Sequence, residues 1–334
     1  MERKLVSIQR IDQVEPIDGA DKICKARVLG WDVVVKRGEF TAGAPCVFFE
    51  IDCLLPADAA WAAFLQPRGY RVKTARLRGV LSQGLALPVD ILPPALGVPA
   101  IGTDVTAALG VVKYEPELPD SRTVAGPFPA EVPKTDELRL QSALGLLDEL
   151  AGHDFYVTTK CDGTSATYLR RPDGELVACS RNWALVPGPN PVWRMAEAHR
   201  LAETLPPGVA VQGELCGPGI QGNRLGLAEL TLLVFSVHDT RAGVRLGHAE
   251  LVAFCAARGL TTVPIEEVVT GAAAAGFTHT LAYWLERARG LYPGTTNRKE
   301  GIVVRPTAPL LSPTLGGPLS WKVINNDFLL KDEA

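Results

Sequence analysis

The sequence has 334 residues, 47% apolar and 21% charged, with a net charge of -3. At roughly 150 residues per domain that length predicts two domains, and the composition excludes a disordered or collagen-like chain. A chain that is not globally basic also excludes a uniform nucleic-acid coat, so any phosphate contact has to be local. No run of eighteen apolar residues occurs. The best candidate, 85–102, is cut by Pro88, Asp90, Pro93, Pro94 and Pro99, so no membrane span is expected. The start, Met1-Glu2-Arg3-Lys4, is charged and no apolar stretch follows, which predicts a cytoplasmic location. The seven cysteines, at 24, 46, 53, 161, 179, 216 and 255, form no Cys-x-x-Cys pair and are expected to be reduced. The five histidines lack zinc-site spacing, and a monomer is expected.

Short strands punctuated by turn residues open the chain. Residues 5–11, 23–29, 31–36 and 46–51 are rich in Val, Ile and Phe, and Asp18-Gly19, Gly30, Gly38, Gly43 and Pro56 separate them. That spacing predicts a small OB-like β-barrel over residues 1–115. Within it, Arg68, Arg71, Lys73, Arg76 and Arg78 fall in eleven residues without an acid. Over residues 1–115 as a whole, 14 basic residues against 13 acidic leave only +1, so the cluster stands out as a candidate nucleic-acid contact. A solvated strand face would carry the same charges. Five prolines between 116 and 133 then predict a linker, leaving 134–334 as a second domain.

After the linker, Thr135 is expected to cap a helix with Asp136 and Glu137 in its first turn and Leu138, Leu140, Leu144 and Leu147 along one face. Strands are expected at 156–160, 166–169 and 176–179. Asp162-Gly163 and Pro172-Asp173-Gly174 read as hairpin turns between them. Asn190 and Pro191 predict a helix to about Leu205, and a second helix runs from His248 to Arg258 before Gly259. Antiparallel strands with interspersed helices make this an α+β domain.

The chemistry begins at Lys160-Cys161-Asp162-Gly163, at a strand end. If the extended backbone persists, Lys160 and Asp162 share a face, placing an amine beside a carboxylate. Neutralising a free lysine at pH 7 costs about 4.6 kcal/mol, a cost that a neighbouring divalent metal lowers. On these four residues alone an exposed hairpin lysine fits as well. Gly217-Pro218-Gly219-Ile220-Gln221-Gly222 matches a dinucleotide-binding fingerprint in letters only, because no apolar helix follows it.

Further motifs follow Lys160 in a definite order. They are Ser180-Arg181-Asn182, Gly213-Glu214-Leu215, Phe235 to Asp239, Lys299-Glu300-Gly301 running to Arg305, and Trp321-Lys322-Val323-Ile324-Asn325. The set resembles the covalent nucleotidyltransferase superfamily of polynucleotide ligases and mRNA capping enzymes. Residues 16–23, Gly30-Trp31, 49–52, Leu77-Arg78-Gly79 and 133–141 are similar to the Deinococcus-type RNA ligases. The resemblance implies an N-terminal OB domain and an ATP-grasp-like nucleotidyltransferase domain. It also implies an ATP-dependent RNA ligase that seals 3'-OH and 5'-phosphate ends, at nicks with an RNA 3'-OH strand, through lysyl-AMP and an adenylylated 5' end. Lys160 matches the nucleophile, Arg181 a phosphate or ribose contact, Lys322 an α-phosphate contact, Glu214 the glutamate near the ribose or metal, and Phe235 the adenine-stacking aromatic. Glu300, with Asp162, matches the carboxylates for Mg2+ or Mn2+. Many such ligases carry two lysines one residue apart in the last motif, whereas here Ser320 stands in the first place and only Lys322 carries over. The partner implied is RNA or an RNA–DNA nicked duplex. A GTP-using capping-type enzyme and a binding protein that has lost catalysis are the alternatives, separable by labelling with ATP against GTP.

Overall fold

The computed structural model describes residues 4–115, 122–277 and 280–330. The chain divides into two compact units, Met1–Glu117 with Leu329–Ala334, and Leu118–Phe328.

The first unit is built from antiparallel strands joined by tight turns. Val6–Arg10, Pro45–Phe49 and Leu85–Leu87 form one sheet, and Gln13–Pro16, Ile23–Val28 and Trp31–Lys36 form another. Alternate residues of Trp31–Lys36 point inward, so Trp31, Val33 and Val35 pack with Phe48 and Ala86 from the other sheet in one shared core. This is the OB-type arrangement expected from the strand spacing. The basic cluster is spread over a 3-10 helix ending at Arg68, the segment after it, and a short hairpin of Ala75–Leu77 with Val80–Ser82. Arg68, Lys73, Arg76 and Arg78 are exposed. Arg71 is half-buried, pairs with Asp52, and lies 3.8 Å over the Tyr114 ring.

The second unit is built on two main sheets, with a minor two-stranded one of Leu311–Ser312 and Gly317–Pro318. The larger is led by Thr164–Arg170, Val209–Cys216 and Thr231–Asp239, with Leu176–Cys179 and Trp183–Leu185 beyond. The smaller runs Ile265–Val269, Phe155–Lys160, Gly301–Pro306 and Trp321–Ile324. Period-two alternation divides the small sheet's residues by face. Phe155, Val157, Ile302, Val304, Trp321 and Val323 enter a core in which Phe155 meets Trp284 and Trp284 meets Trp321 edge-on, with ring centroids 5.9 and 6.1 Å apart. Thr158, Lys160, Val303, Arg305 and Lys322 take the other face, toward a cavity. Burying each large aromatic is worth about 1.5–3 kcal/mol, so the apolar face anchors what the polar face presents. In the large sheet, Leu215, Leu232 and Val234 enter the opposite core while Glu214 and Phe235 face the cavity.

Four local expectations are corrected. Asp162-Gly163 is not a hairpin turn: the strands on either side of it belong to different sheets, and the segment is the crossover between them. Gly163 is needed there because a Cβ would stand 2.3 Å from the Leu215 carbonyl oxygen. Thr135 caps no helix. Its hydroxyl lies 2.8 Å from that of Ser165, the Lys322 amide donates to the Leu138 carbonyl, and the chain stays extended to a 3-10 turn at Leu140–Ser142. These long-range bonds outweigh a local capping preference worth about 1 kcal/mol. Of the expected linker, 116–121 lies outside the described residues, and Val124–Pro127 is a strand paired with Trp183–Leu185. The helix capped by Asn190, whose side chain accepts from the Trp193 amide, spans only Pro191–Ala198, because Arg200 adopts a left-handed φ of 50° before a short second helix. The hairpin of Thr164–Arg170 with Leu176–Cys179 is present. All seven cysteines are free and buried. No helix among the described residues is long and apolar enough to cross a membrane.

Gly301 joins the Lys160 strand to the last-motif strand. It pairs with Lys160 on one side and Ile324 on the other at a φ of 151°, and an added Cβ would lie 2.0 Å from the Val323 carbonyl oxygen. Gly301→Ala is therefore expected to cost about 1–3 kcal/mol through overpacking of backbone on backbone. A urea midpoint lowered at unchanged slope checks this; an unshifted midpoint contradicts it.

Candidate active site

The two polar sheet faces enclose a cavity of about 400 Å³. Lys160, Asp162, Arg181, Glu214, Phe235, Glu300 and Lys322, the residues singled out in the sequence, all line it. The basic cluster of residues 68–78 lies in the other unit.

Strand register brings the central pair together. Lys160 is the last residue of its strand and opposes Gly301, so Glu300 emerges beside it, and Lys160 Nζ lies 2.8 Å from Glu300 Oε2. Burial alone would lower the Lys160 pKa, but the charges of Glu300 and Glu214 and the Glu300 hydrogen bond together hold it above the ordinary lysine value. Glu214 is on the facing sheet, opposite Ser165 and Leu233. Burial, with Glu300 and Asp162 adding to it against the pull of Lys160, raises its pKa to about 7. Lys322 opposes Val303, and its pKa falls to about 8 through burial and the nearby positive charge of Lys160. Two half-buried amines and two carboxylates thus share one partly desolvated space.

Phe235 owes its position to a β-bulge. The pairing of Val209–Cys216 with Thr231–Asp239 slips between Gln212 and Gly213, so Gln212 opposes Ser236, Gly213 opposes Val234, and Phe235 is left over. The extra residue places Phe235 and Ser236 on the same side, as bulges do. Arg305 supports this kink: its Nη1 donates to the Phe235 carbonyl at 2.8 Å, and its guanidinium carbon is 5.6 Å from the ring centroid. Arg305 is 3% exposed and bonds Glu137 at 2.5 Å. Arg181 is exposed at the cavity rim and pairs with Asp136. The segment expected to be a helix thus delivers two carboxylates to the cavity, one to each arginine.

Asp162 shares the cavity with Lys160, as the alternation argument required, but its Oδ2 lies 3.3 Å from Arg224 Nε. Among the described residues no group of three or more His, Cys, Asp or Glu side chains is placed to hold a metal ion. Sequence reasoning missed the Glu137–Arg305 pair, whose members are 168 positions apart, and the buried Tyr292 behind Lys160. The motif letters around Arg305 pointed to the strand but not to its partner.

In a second, adjoining cavity, His238 Nε2 lies 2.9 Å from Ser236 Oγ and 3.0 Å from Gln212 Oε1. Burial first, then Arg245 and Arg305, lower its pKa from 6.5 to about 4. The folded protein thus holds this histidine neutral while the unfolded chain protonates it, so stability is lost as pH falls below 6.5 toward 4. Between pH 7 and pH 5 the loss is about 2 kcal/mol. His238→Gln keeps a bonding group without the titration. Urea unfolding at both pH values should show the wild type losing that much more than the variant; parallel losses would contradict the assignment.

Comparison with known proteins agrees with this geometry. A model of an OB-fold domain matches residues 5–89, and the RNA ligase family model matches residues 153–323. No curated protein matches the chain. Among solved structures, a Naegleria gruberi RNA ligase with PPi is 32% identical, covering 99% of each chain at a TM-score of 0.79. A glutamate-to-alanine variant of that ligase with AMP and Mn, and a lysine-to-alanine variant with ATP and Mn, are each 32% identical over 98% of both chains, also at 0.79.

Proposed function

Because the chain belongs to the RNA ligase family, we propose that it uses ATP to join a 3'-OH to a 5'-phosphate, at nicks with an RNA 3'-OH strand, with Lys160 carrying AMP. The N-terminal motifs favour the Deinococcus type. The observation that carries this reading is the Lys160 amine, 2.8 Å from Glu300 in a cavity also lined by Glu214, Lys322, Arg181 and Phe235. ATP is favoured over GTP because the related ligase is described with ATP and with AMP.

The roles follow from position. Phe235 offers a ring face for adenine, its backbone held by Arg305. Lys322 and Arg181 supply donors for phosphate oxygens, and phosphoryl transfer needs such positioning and charge neutralisation more than acid–base chemistry. Lys160 Nζ attacks the α-phosphorus. A nitrogen–phosphorus bond forms, the bond to the bridging oxygen breaks, pyrophosphate leaves, and the amine gives up a proton. An oxygen of the 5'-phosphate then takes the AMP as the nitrogen–phosphorus bond breaks and the lysine amine is released; finally the 3'-OH, giving its proton to solvent, bonds to the 5'-phosphorus as the anhydride bond breaks and AMP leaves. In the free protein Glu300 holds Lys160 in its charged form, so attack requires that grip to loosen.

The related ligase is described with Mn. Glu300 and Glu214 are the carboxylates that would hold such an ion here. With no three-donor cluster among the described residues, the remaining ligands would come from substrate oxygens and water, which is how Mg2+ is usually bound. When bound, the ion supplies neutralisation of phosphate charge. Residues 1–115 would grip the nucleic-acid backbone through Arg68, Lys73, Arg76 and Arg78, while Arg71 is already engaged by Asp52 and Tyr114.

Incubation with ATP labelled at the α-phosphate, followed by denaturing electrophoresis, tests the reaction. Wild type should retain label. Lys160→Ala and Lys160→Arg should lose it, because a guanidinium stays protonated, and label persisting at another lysine would refute the assignment. Glu300→Gln should fold normally yet weaken the metal dependence of labelling.

A separate variant tests the first unit. Lys73→Ala with Arg78→Ala should leave labelling intact while reducing the slope of log affinity against log salt by about 0.9 per lost duplex phosphate contact. An unchanged slope for a nicked duplex would return the cluster to a solvated surface.

A further inference from the structure

The ladder between the Lys160 strand and the Glu300 strand ends at the pair Lys160–Gly301. Beyond it the two chains diverge into the cavity, and their backbone groups need other partners. One side chain meets three of them. The hydroxyl of Tyr292 donates to the Lys160 carbonyl at 3.0 Å and accepts from the Asp162 amide at 3.0 Å and the Glu300 amide at 3.1 Å. A phenol has one proton and two lone pairs, so its bonding capacity is fully used. Burial raises the Tyr292 pKa far above its ordinary value, so the proton stays on the oxygen.

The mount of this hydroxyl is itself fixed. Tyr292 is 2% exposed. Its amide donates to the Asn297 carbonyl at 2.9 Å, and its own carbonyl accepts from the Thr295 amide and hydroxyl at 3.1 and 3.0 Å. Asn297 Nδ2 in turn donates to the Arg224 carbonyl at 2.8 Å, and Arg224 is the partner of Asp162. A single buried oxygen therefore sets the spacing between the backbones that carry Lys160, Asp162 and Glu300, at the point where sheet pairing no longer does so.

We propose that Tyr292 is the positioning residue for lysine adenylylation: its hydroxyl holds the Lys160 and Glu300 backbones at the separation from which the amine reaches the α-phosphate. Tyr292 touches no substrate in this account and acts through its neighbours. The inference rests on the ligase reading above. A displacement of about 1 Å at a reacting group costs up to about 100-fold in rate, which gives the scale of the effect.

Tyr292→Phe removes the oxygen and leaves the buried ring. At saturating ATP, single-turnover formation of lysyl-AMP should fall about 10- to 100-fold, with ATP affinity unchanged within about twofold. Sealing of a strand supplied with its 5' end already adenylylated bypasses the lysine, so it should fall no more than about threefold in the same variant. Tyr292→4-aminophenylalanine, which returns a hydrogen-bonding group of similar size, should recover part of the lost rate. Equal loss of both steps, or failure of the amino variant to recover any adenylylation while circular dichroism shows it folded, would reduce Tyr292 to a structural residue and overturn the inference. An unchanged adenylylation rate in Tyr292→Phe would overturn it as well. A wild-type protein that takes up no AMP would instead overturn the ligase reading, and the inference with it.

Discussion

A half-buried lysine ammonium held against a carboxylate is the contact on which the candidate site depends. Lys160 and Glu300 are 23% and 19% exposed and 2.8 Å apart. Desolvation works against the charged amine, and paired carboxylates work for it; here the carboxylates prevail. In the free protein Lys160 is therefore held in its charged, non-nucleophilic form. A lysine activated by burial alone would be reactive in the free protein.

That contact exists because two sheets turn polar faces toward each other while their apolar faces are filled. Trp284, Trp321 and Phe155 behind the small sheet and Leu215, Leu232 and Val234 behind the large one leave the opposite positions free for charged side chains. The sheets are tied by the crossover at Gly163, by the extended segment 133–139 and by the buried Glu137–Arg305 pair. Removing one member of such a pair leaves an uncompensated buried charge, typically worth 3–5 kcal/mol. Arg305 also bonds the bulged Phe235, so the same ion pair that closes the sheets aims the aromatic.

Seven of the residues that line the cavity could be named from the sequence, two by strand alternation and the rest by the ordered motifs and their resemblance. Alternation put Lys160 and Asp162 on one face, and the ordered motifs named Arg181, Glu214, Phe235, Glu300 and Lys322, all of which reach the cavity. What escaped notice depends on distant partners. Thr135-Asp136-Glu137-Leu138 carries every local mark of a helix start, yet Ser165, Arg305 and Lys322 hold it extended. Nothing in the residues around Phe235 announces a bulge, since the slip is set by Gly213 on the neighbouring strand. Tyr292 looks like any core aromatic until the three backbone groups around its hydroxyl are known. Asp162-Gly163 has hairpin composition but joins two sheets, a fact of topology that no window of four residues contains.

The claim that carboxylate pairing outweighs burial at Lys160 is open to direct measurement. NMR titration of the free protein, with its lysine side chains isotopically labelled and Lys160 assigned through Lys160→Arg, reads the charge on that amine without nucleotide or metal. The account predicts a Lys160 signal that stays in its charged form to a pH above the ordinary lysine value of about 10.5. A Lys160 amine already neutral at pH 8 would contradict it, and would mean that burial outweighs the carboxylates.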